Sequence, residues 1–466
     1  MPISPTEGPA LDPAPVEPTA DGRSQAVRRL GLLAIAAAGV ALATAAWTLD
    51  WGAPARAAII GGLCVALWLS EWVPVWAPTL LLWGSAPLLL ASFGGEFRPL
   101  RVLAWSADPV LVLFFGGFAL AAAASRHGTD RAMAAIALRL SRGHAMRMIA
   151  LAALATVTLA MWMSNIAAAA LMLAAFRPVL DREPPGGSLR RGLLLAIALA
   201  ANVGGIATPI GSGPNGIAIA AVERYRPITF VHWMVFGVPL TFGLLAAVLA
   251  LVALFVRPTG RVLLPPGSLD GPRGRVGALA AVFGATVLLW LTEPLHGVRA
   301  WVVALAAAGA LLVLRLLRPR DLLRIDWATL VLIAGGIALG ALMDRSGLMQ
   351  RLAGQLPFAS ASPTLRLLGL CLLSASLAAL MSNTGTATLL VPLAVAVTGM
   401  PSAAVLVAVA ASLGVPFVIS TPPNAMAFGA GLRARDLLLP GLVIMIAGSL
   451  VVALTGPWVL RAVGVP

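Results

Sequence analysis

Long apolar runs separated by short charged stretches recur along almost the whole chain, at about 30–49, 56–70, 76–93, 108–125, 145–180, 192–221, 230–256, 277–292, 299–317, 326–343, 365–399, 402–430 and 436–460. At a rise of 1.5 Å per residue, runs near 20 residues match a hydrocarbon core of about 30 Å, so the pattern predicts membrane-spanning helices. Two runs break the rule. Segments 145–180 and 365–399 are overlong, and each carries a polar triplet at its centre, Ser164-Asn165-Ile166 and Ser382-Asn383-Thr384. The arm following the first triplet reaches only about 20 Å, so each segment reads as a re-entrant hairpin whose irregular tip needs protein or a cavity around it.

Composition agrees with a membrane chain. Of 466 residues, 60% are apolar and 11% charged, against about a quarter charged in soluble domains. The 32 basic residues are all arginine, against 18 acids, and they sit in short loops rather than in one patch with aromatics. That distribution points to membrane topology and excludes a nucleic-acid partner. With the two overlong segments as hairpins, 22 arginines fall on the cytoplasmic side and 10 outside; with both as crossings the split is 16 and 16. The positive-inside rule therefore favours about eleven transmembrane helices plus two re-entrant hairpins, in the inner (plasma) membrane with the N-terminus cytoplasmic and the C-terminus extracytoplasmic. The proline-rich, acidic start is expected to be disordered. Residues Thr129 to Arg142 read as an amphipathic helix on the inner surface, the tryptophans at run ends as an interfacial belt, and Cys64 and Cys371 as buried thiols.

The two halves echo each other at an offset of roughly 220 residues. Trp68 and Glu71 recur as Trp290 and Glu293, Asp108 as Asp326, Gly116-Gly117 as Gly335-Gly336, Ser164-Asn165 as Ser382-Asn383, and Pro214-Asn215 as Pro423-Asn424. Each half holds five crossings and a hairpin. An odd number of crossings requires the second copy to lie inverted in the bilayer.

Two further features interrupt otherwise continuous apolar runs: Thr208-Pro209-Ile210-Gly211-Ser212-Gly213-Pro214-Asn215 and Ser420-Thr421-Pro422-Pro423-Asn424. Proline and glycine at mid-depth remove helix hydrogen bonds, so these helices are expected to unwind there. Freed carbonyls suit a cation such as Na⁺, and a fresh helix N-terminus suits an anion. The carboxylates Glu71, Asp108, Glu293, Asp326 and Asp344 and the four histidines sit at run ends. Without a mid-depth carboxylate, metal spacing or activated nucleophile, neither a carboxylate proton relay nor an enzyme is indicated.

The paired motifs resemble those of the divalent anion:sodium symporter family, carriers of dicarboxylates, citrate and sulfate, over residues 56–462. Ser382-Asn383-Thr384 and Thr421-Pro422-Pro423-Asn424 match its signatures closely. The resemblance implies that Ser164, Asn165 and Gly211 hold one sodium ion and Ser382, Asn383 and Ser420 another. It implies substrate contacts from Ser164, Asn165, Ser212, Ser382, Asn383, Thr384, Thr421 and Pro422, with sodium as the coupling ion and no further cofactor. It also implies a homodimer and an elevator motion of a transport domain (143–256 and 357–466) against a scaffold (30–142 and 277–356), joined by a cytoplasmic linker, 257–276, after a disordered tail, 1–29. In the first half Ile166 replaces the threonine of the triplet and Gly213 the first proline. The expected activity is sodium-coupled uptake of a small di- or tricarboxylate or other divalent anion. An anion exchanger or a proton-coupled or oxyanion carrier of the same architecture stays open, as do a channel and a membrane sensor.

Overall fold

A computed structural model describes residues 22–70, 72–260, 275–355 and 361–465. Most of the expected disordered tail, most of the 257–276 linker and Glu71 lie outside the described residues; the described part of that tail, 22–29, corrects the expectation, being the helical start of α1 (Gly22–Thr48) rather than disordered. The first half runs α1 (Gly22–Thr48), α2 (Ala53–Ser70), α3 (Ala77–Leu90), α4 (Pro99–Ala104), α5 (Pro109–Arg126), α6 (Thr129–Ser141), α7 (Ala145–Ala160), α8 (Asn165–Leu180), α9 (Ser188–Gly204), α10 (Gly213–Glu223) and α11 (Phe230–Leu251). The second runs α12 (Val276–Leu291), α13 (Glu293–His296), α14 (Ala300–Val313), α15 (Pro319–Leu322), α16 (Trp327–Arg345), α17 (Leu348–Gln355), α18 (Pro363–Ala378), α19 (Asn383–Thr398), α20 (Ser402–Ala411), α21 (Pro422–Gly429) and α22 (Ala434–Ala462).

Among the described residues five helices are long and apolar enough to cross a membrane unaided: Arg28–Thr48, Pro109–Arg126, Phe230–Val256, Trp327–Arg345 and Ala434–Ala462. The other expected crossings fall on shorter helices, or on α9–α10 and α20–α21, which are interrupted where the sequence places its breaks. The two overlong runs fold into helix pairs, α7 against α8 and α18 against α19. Their arms have 16 residues each, about 24 Å.

The sequence echoes have local causes. Asp108 and Asp326 cap α5 and α16, their side chains accepting from Val110 N and Thr329 N. Trp68 Nε1 donates to Val75 O and Trp290 Nε1 to Ala300 O, each at 2.9 Å, so the two indoles pin equivalent corners. This corrects the reading of tryptophans as an interfacial belt for Trp68, Trp233 and Trp290, which are buried. The plane of Trp290 stacks with Phe230 at 4.4 Å and with Trp162 at 6.2 Å between ring centroids. A buried aromatic of this size contributes more as core than as an anchor. A helix, α6, forms over most of the 129–142 stretch, and Cys64 and Cys371 are free and buried.

The two halves interlock rather than pack side by side. Segment α10 packs on α20 and α19, while α21 packs on α9 and α8. Each short half-helix beyond a break is thereby held by the other half's hairpin and unbroken half-helix. Gly204 and Gly414 allow the approach of each broken helix to its own hairpin: a Cβ at Gly204 would meet Val157 O at 3.0 Å, and one at Gly414 would meet Ala375 O at 2.6 Å.

Candidate functional site

Each hairpin tip is built by a serine cap. Ser164 Oγ accepts from Ala167 N at 3.3 Å and Ser382 Oγ from Gly385 N at 3.0 Å, which starts α8 and α19 at the following asparagine. Each break is held open by an asparagine that replaces lost helix bonds. Asn215 Nδ2 donates to Gly205 O and Thr208 O, both at 2.8 Å. Asn424 Nδ2 donates to Val415 O and Phe417 O, both at 3.0 Å. These asparagines are buried braces of the unwound backbone.

At the first tip the structure brings Asn165 and Gly211 together. The outer end of the Asn165 amide lies 3.2 Å from Gly211 O and 3.1 Å from Ala201 O. The surrounding groups favour the nitrogen at that end, where it donates to both carbonyls; turning the oxygen there to complete a cation site would require rotating the amide. A Cβ at Gly211 would meet Gly205 O at 2.6 Å and Ala160 O at 3.0 Å, so glycine is what lets the carbonyls gather. At the second tip Ser420 occupies the place of Gly211. Its hydroxyl donates to Ala379 O at 2.7 Å and accepts from Phe417 N at 3.1 Å. Asn383 Oδ1 is buried there without a partner among the described residues. A buried amide oxygen with no donor is costly unless a ligand supplies one.

The expected substrate residues divide between the two breaks. Thr384 lies against Gly213, where a Cβ would overlap its hydroxyl, so the glycine that replaces proline in the first half makes room for the second tip. Ser212 Oγ stands 3.5 Å from Ser412 Oγ. Thr421 Oγ1 accepts from Asn202 Nδ2 at 3.1 Å and from Asn424 N at 3.4 Å. Pro422 and Ile166 are exposed. The expectation that a fresh helix N-terminus offers amides to an anion is corrected at the second break: Pro422 and Pro423 occupy N1 and N2 of α21 and have no N–H, and Thr421 takes the next one.

Asn202 and Ser412 were not legible as site residues. Both lie in the apolar stretch that precedes a break, and the only signal was a lone polar side chain among leucine, valine and alanine. A cavity of about 440 Å³ runs from Ser164 of the first tip along Phe118 and Ser125 to Arg126, Asp321 and Arg324. Burial pushes the Asp321 carboxyl up, but the Arg318 backbone N–H and the Arg126 guanidinium outweigh it and hold it below the usual carboxylate range. Asp321 thus neutralises Arg126. Arg324 is left without an ion-pair partner among the described residues, an electropositive lining suited to admitting an anion.

Comparison with known proteins gives one consistent picture. The family described as "Citrate transporter" matches residues 65–288 and 287–464. An uncharacterized transporter of Haemophilus influenzae is 30% identical over 418 residues, 84% of this chain and 88% of that one. The sodium-dependent dicarboxylate transporter SdcS of Staphylococcus saprophyticus is 28% identical over 423 residues, 79% of this chain and 80% of the relative. Among solved structures, the Alcanivorax borkumensis YdaH transporter superposes with a TM-score of 0.55 at 15% identity, covering 82% of this chain and 98% of that one. The fold is that of an all-α polytopic membrane protein, and the likeness to divalent anion:sodium symporters read from the paired motifs stands.

Proposed function

The chain belongs to the citrate transporter family and is a secondary transporter rather than an enzyme, and from that premise we propose that it couples uptake of a small di- or tricarboxylate to sodium by an elevator motion. The observation that carries the coupling ion is at the second tip, where Asn383 Oδ1 is buried and unpartnered among the described residues; at the first tip the Asn165 amide sits against the carbonyls of Gly211 and Ala201. No side chain gathered at the tips and breaks titrates near neutrality, which favours a metal cation over a proton. Ser164, Asn165 and Gly211 hold one ion in this reading; Ser382, Asn383 and Ser420 hold the other. Substrate lies between Ser164, Asn165, Ser212, Ser382, Asn383, Thr384, Thr421 and Pro422, and reaches them through the cavity that ends at Ser164.

We assign the inverted repeat and the orientation on two independent supports. One is the arginine split. The other is the set of ion pairs. Arg126 bonds Asp321, Arg345 bonds Glu96, and Arg191 bonds Asp436 at 2.8 Å. If both hairpin segments crossed the membrane, each pair would have to span a core of about 30 Å; as re-entrant hairpins they leave every pair on one side. The Ser164 cavity then opens to the cytoplasm. Arg224 with Asp344 and Arg299 with Glu223, each at 3.6 Å, tie α10 of the mobile domain to the scaffold at the outer end. A homodimer formed through the scaffold completes the proposal.

Thermal unfolding of the purified protein tests this reading. Citrate or succinate is expected to raise Tm in sodium chloride and much less in choline chloride, because only a ligand of the folded state stabilises it, by about 2.7 kcal/mol at a hundredfold excess over Kd. Equal stabilisation in both salts would contradict sodium coupling. Stabilisation by neither anion would contradict the substrate class.

A further inference from the structure

The polarity of the second break is set by a residue from the opposite half of the chain. Asn202 on α9 is 1% exposed. Its Nδ2 lies 3.0 Å from Ala198 O, 3.1 Å from Thr421 Oγ1 and 3.1 Å from Asn424 Oδ1, while its Oδ1 has no partner among the described residues. A hydroxyl has two acceptor positions and one hydrogen. At Thr421 both acceptor positions face donors, Asn424 N and Asn202 Nδ2, the latter dividing its two hydrogens among Thr421 Oγ1, Ala198 O and Asn424 Oδ1, and among the described residues the Thr421 hydrogen goes to no acceptor. Because Pro422 and Pro423 contribute no N–H, that hydrogen is the donor left at the start of α21.

We propose that Asn202 is a positioning residue: by filling the acceptor side of the Thr421 hydroxyl it leaves that hydroxyl able only to donate, which commits the second break to an oxyanion of the substrate. This rests on the reading of Thr421 as a substrate contact. The first break lacks the device. Ser412 stands there where Asn202 stands opposite, and it is too short to repeat the brace, so Asn215 Oδ1 is left buried without a partner. Ser212 and Ser412 face each other as two hydroxyls, either of which can donate. One end of the pocket is thus fixed as a donor and the other adapts, an asymmetry that favours a ligand with one obligatory carboxylate.

A double-mutant cycle read by ligand-induced Tm shifts tests this, with succinate and citrate titrated in sodium chloride. Asn202→Leu, neutral and similar in size, is expected to weaken both anions about tenfold, as is Thr421→Ala. Asn202→Leu placed on Thr421→Ala is expected to add less than twofold, since no hydroxyl remains to be oriented, whereas a purely architectural Asn202 would cost the same in either background. If Asn202→Leu does not yield a monodisperse protein, Asn202→Ser carries the same cycle. Wild-type affinity in the Asn202 variant, or full additivity, overturns the proposal while leaving the transport reading intact. A wild-type protein that binds neither anion in sodium overturns the transport reading, and this inference falls with it.

Discussion

Asn383→Ala is expected to abolish sodium-driven uptake in a protein that still folds. One amide at a hairpin tip offers a carbonyl to a cation and N–H donors to an anion together, and Asn383 Oδ1 is buried with no other partner among the described residues. Each interaction with a charged group contributes about 1.5 to 3 kcal/mol, and about 1.4 kcal/mol is a factor of ten. Losing the cation ligand and the anion donor at once therefore removes two or more decades of coupled binding. Folding is expected to be spared because Asn383 Oδ1 accepts no hydrogen bond among the described residues, and the tip cap belongs to Ser382. Asn165→Ala is expected to act in the same direction while also releasing the Gly211 and Ala201 carbonyls. Uptake by reconstituted vesicles, measured over a sodium series, is the check. Near-normal uptake with unchanged sodium dependence would leave the site without support.

Single cysteines at Arg142 and Arg182 are expected to react with a membrane-impermeant maleimide from the same, cytoplasmic side. The effect is all or none, because the segment between them either returns or crosses. Both positions are exposed, and the natural thiols Cys64 and Cys371 are buried, so the background is silent. Labelling from opposite sides would make 145–180 a true crossing and would remove the inverted repeat.

Local chemistry made much of this legible. Ser164 and Ser382 announce their tips because a serine before an asparagine caps a helix from within its own turn, and Asp108 and Asp326 do likewise. Proline and glycine mark both breaks for the same reason: they act on the residues next to them. What stayed hidden depends on distant partners. Asn202 meets Thr421 across 219 residues, and nothing in its run of leucine and alanine announces that. The stack of Trp162, Phe230 and Trp290 joins a hairpin tip to two separate helices, so run-end position alone misassigned Trp290 to an interface. The second break misled in a different way. Its two prolines signal a helix start correctly, yet they delete the amides that such a start normally offers, and the donor role passes to Thr421.

If neutral asparagine tips bind sodium and a carboxylate together, transport of the anion must follow the sodium gradient. Purified protein in sealed vesicles, given radiolabelled succinate or citrate, tests it most directly. An inward sodium gradient is expected to drive transient accumulation above equilibrium for at least one of these anions, and collapsing the gradient with a sodium ionophore is expected to abolish it. Accumulation that persists when choline replaces sodium, or that follows an imposed proton gradient alone, would contradict the account.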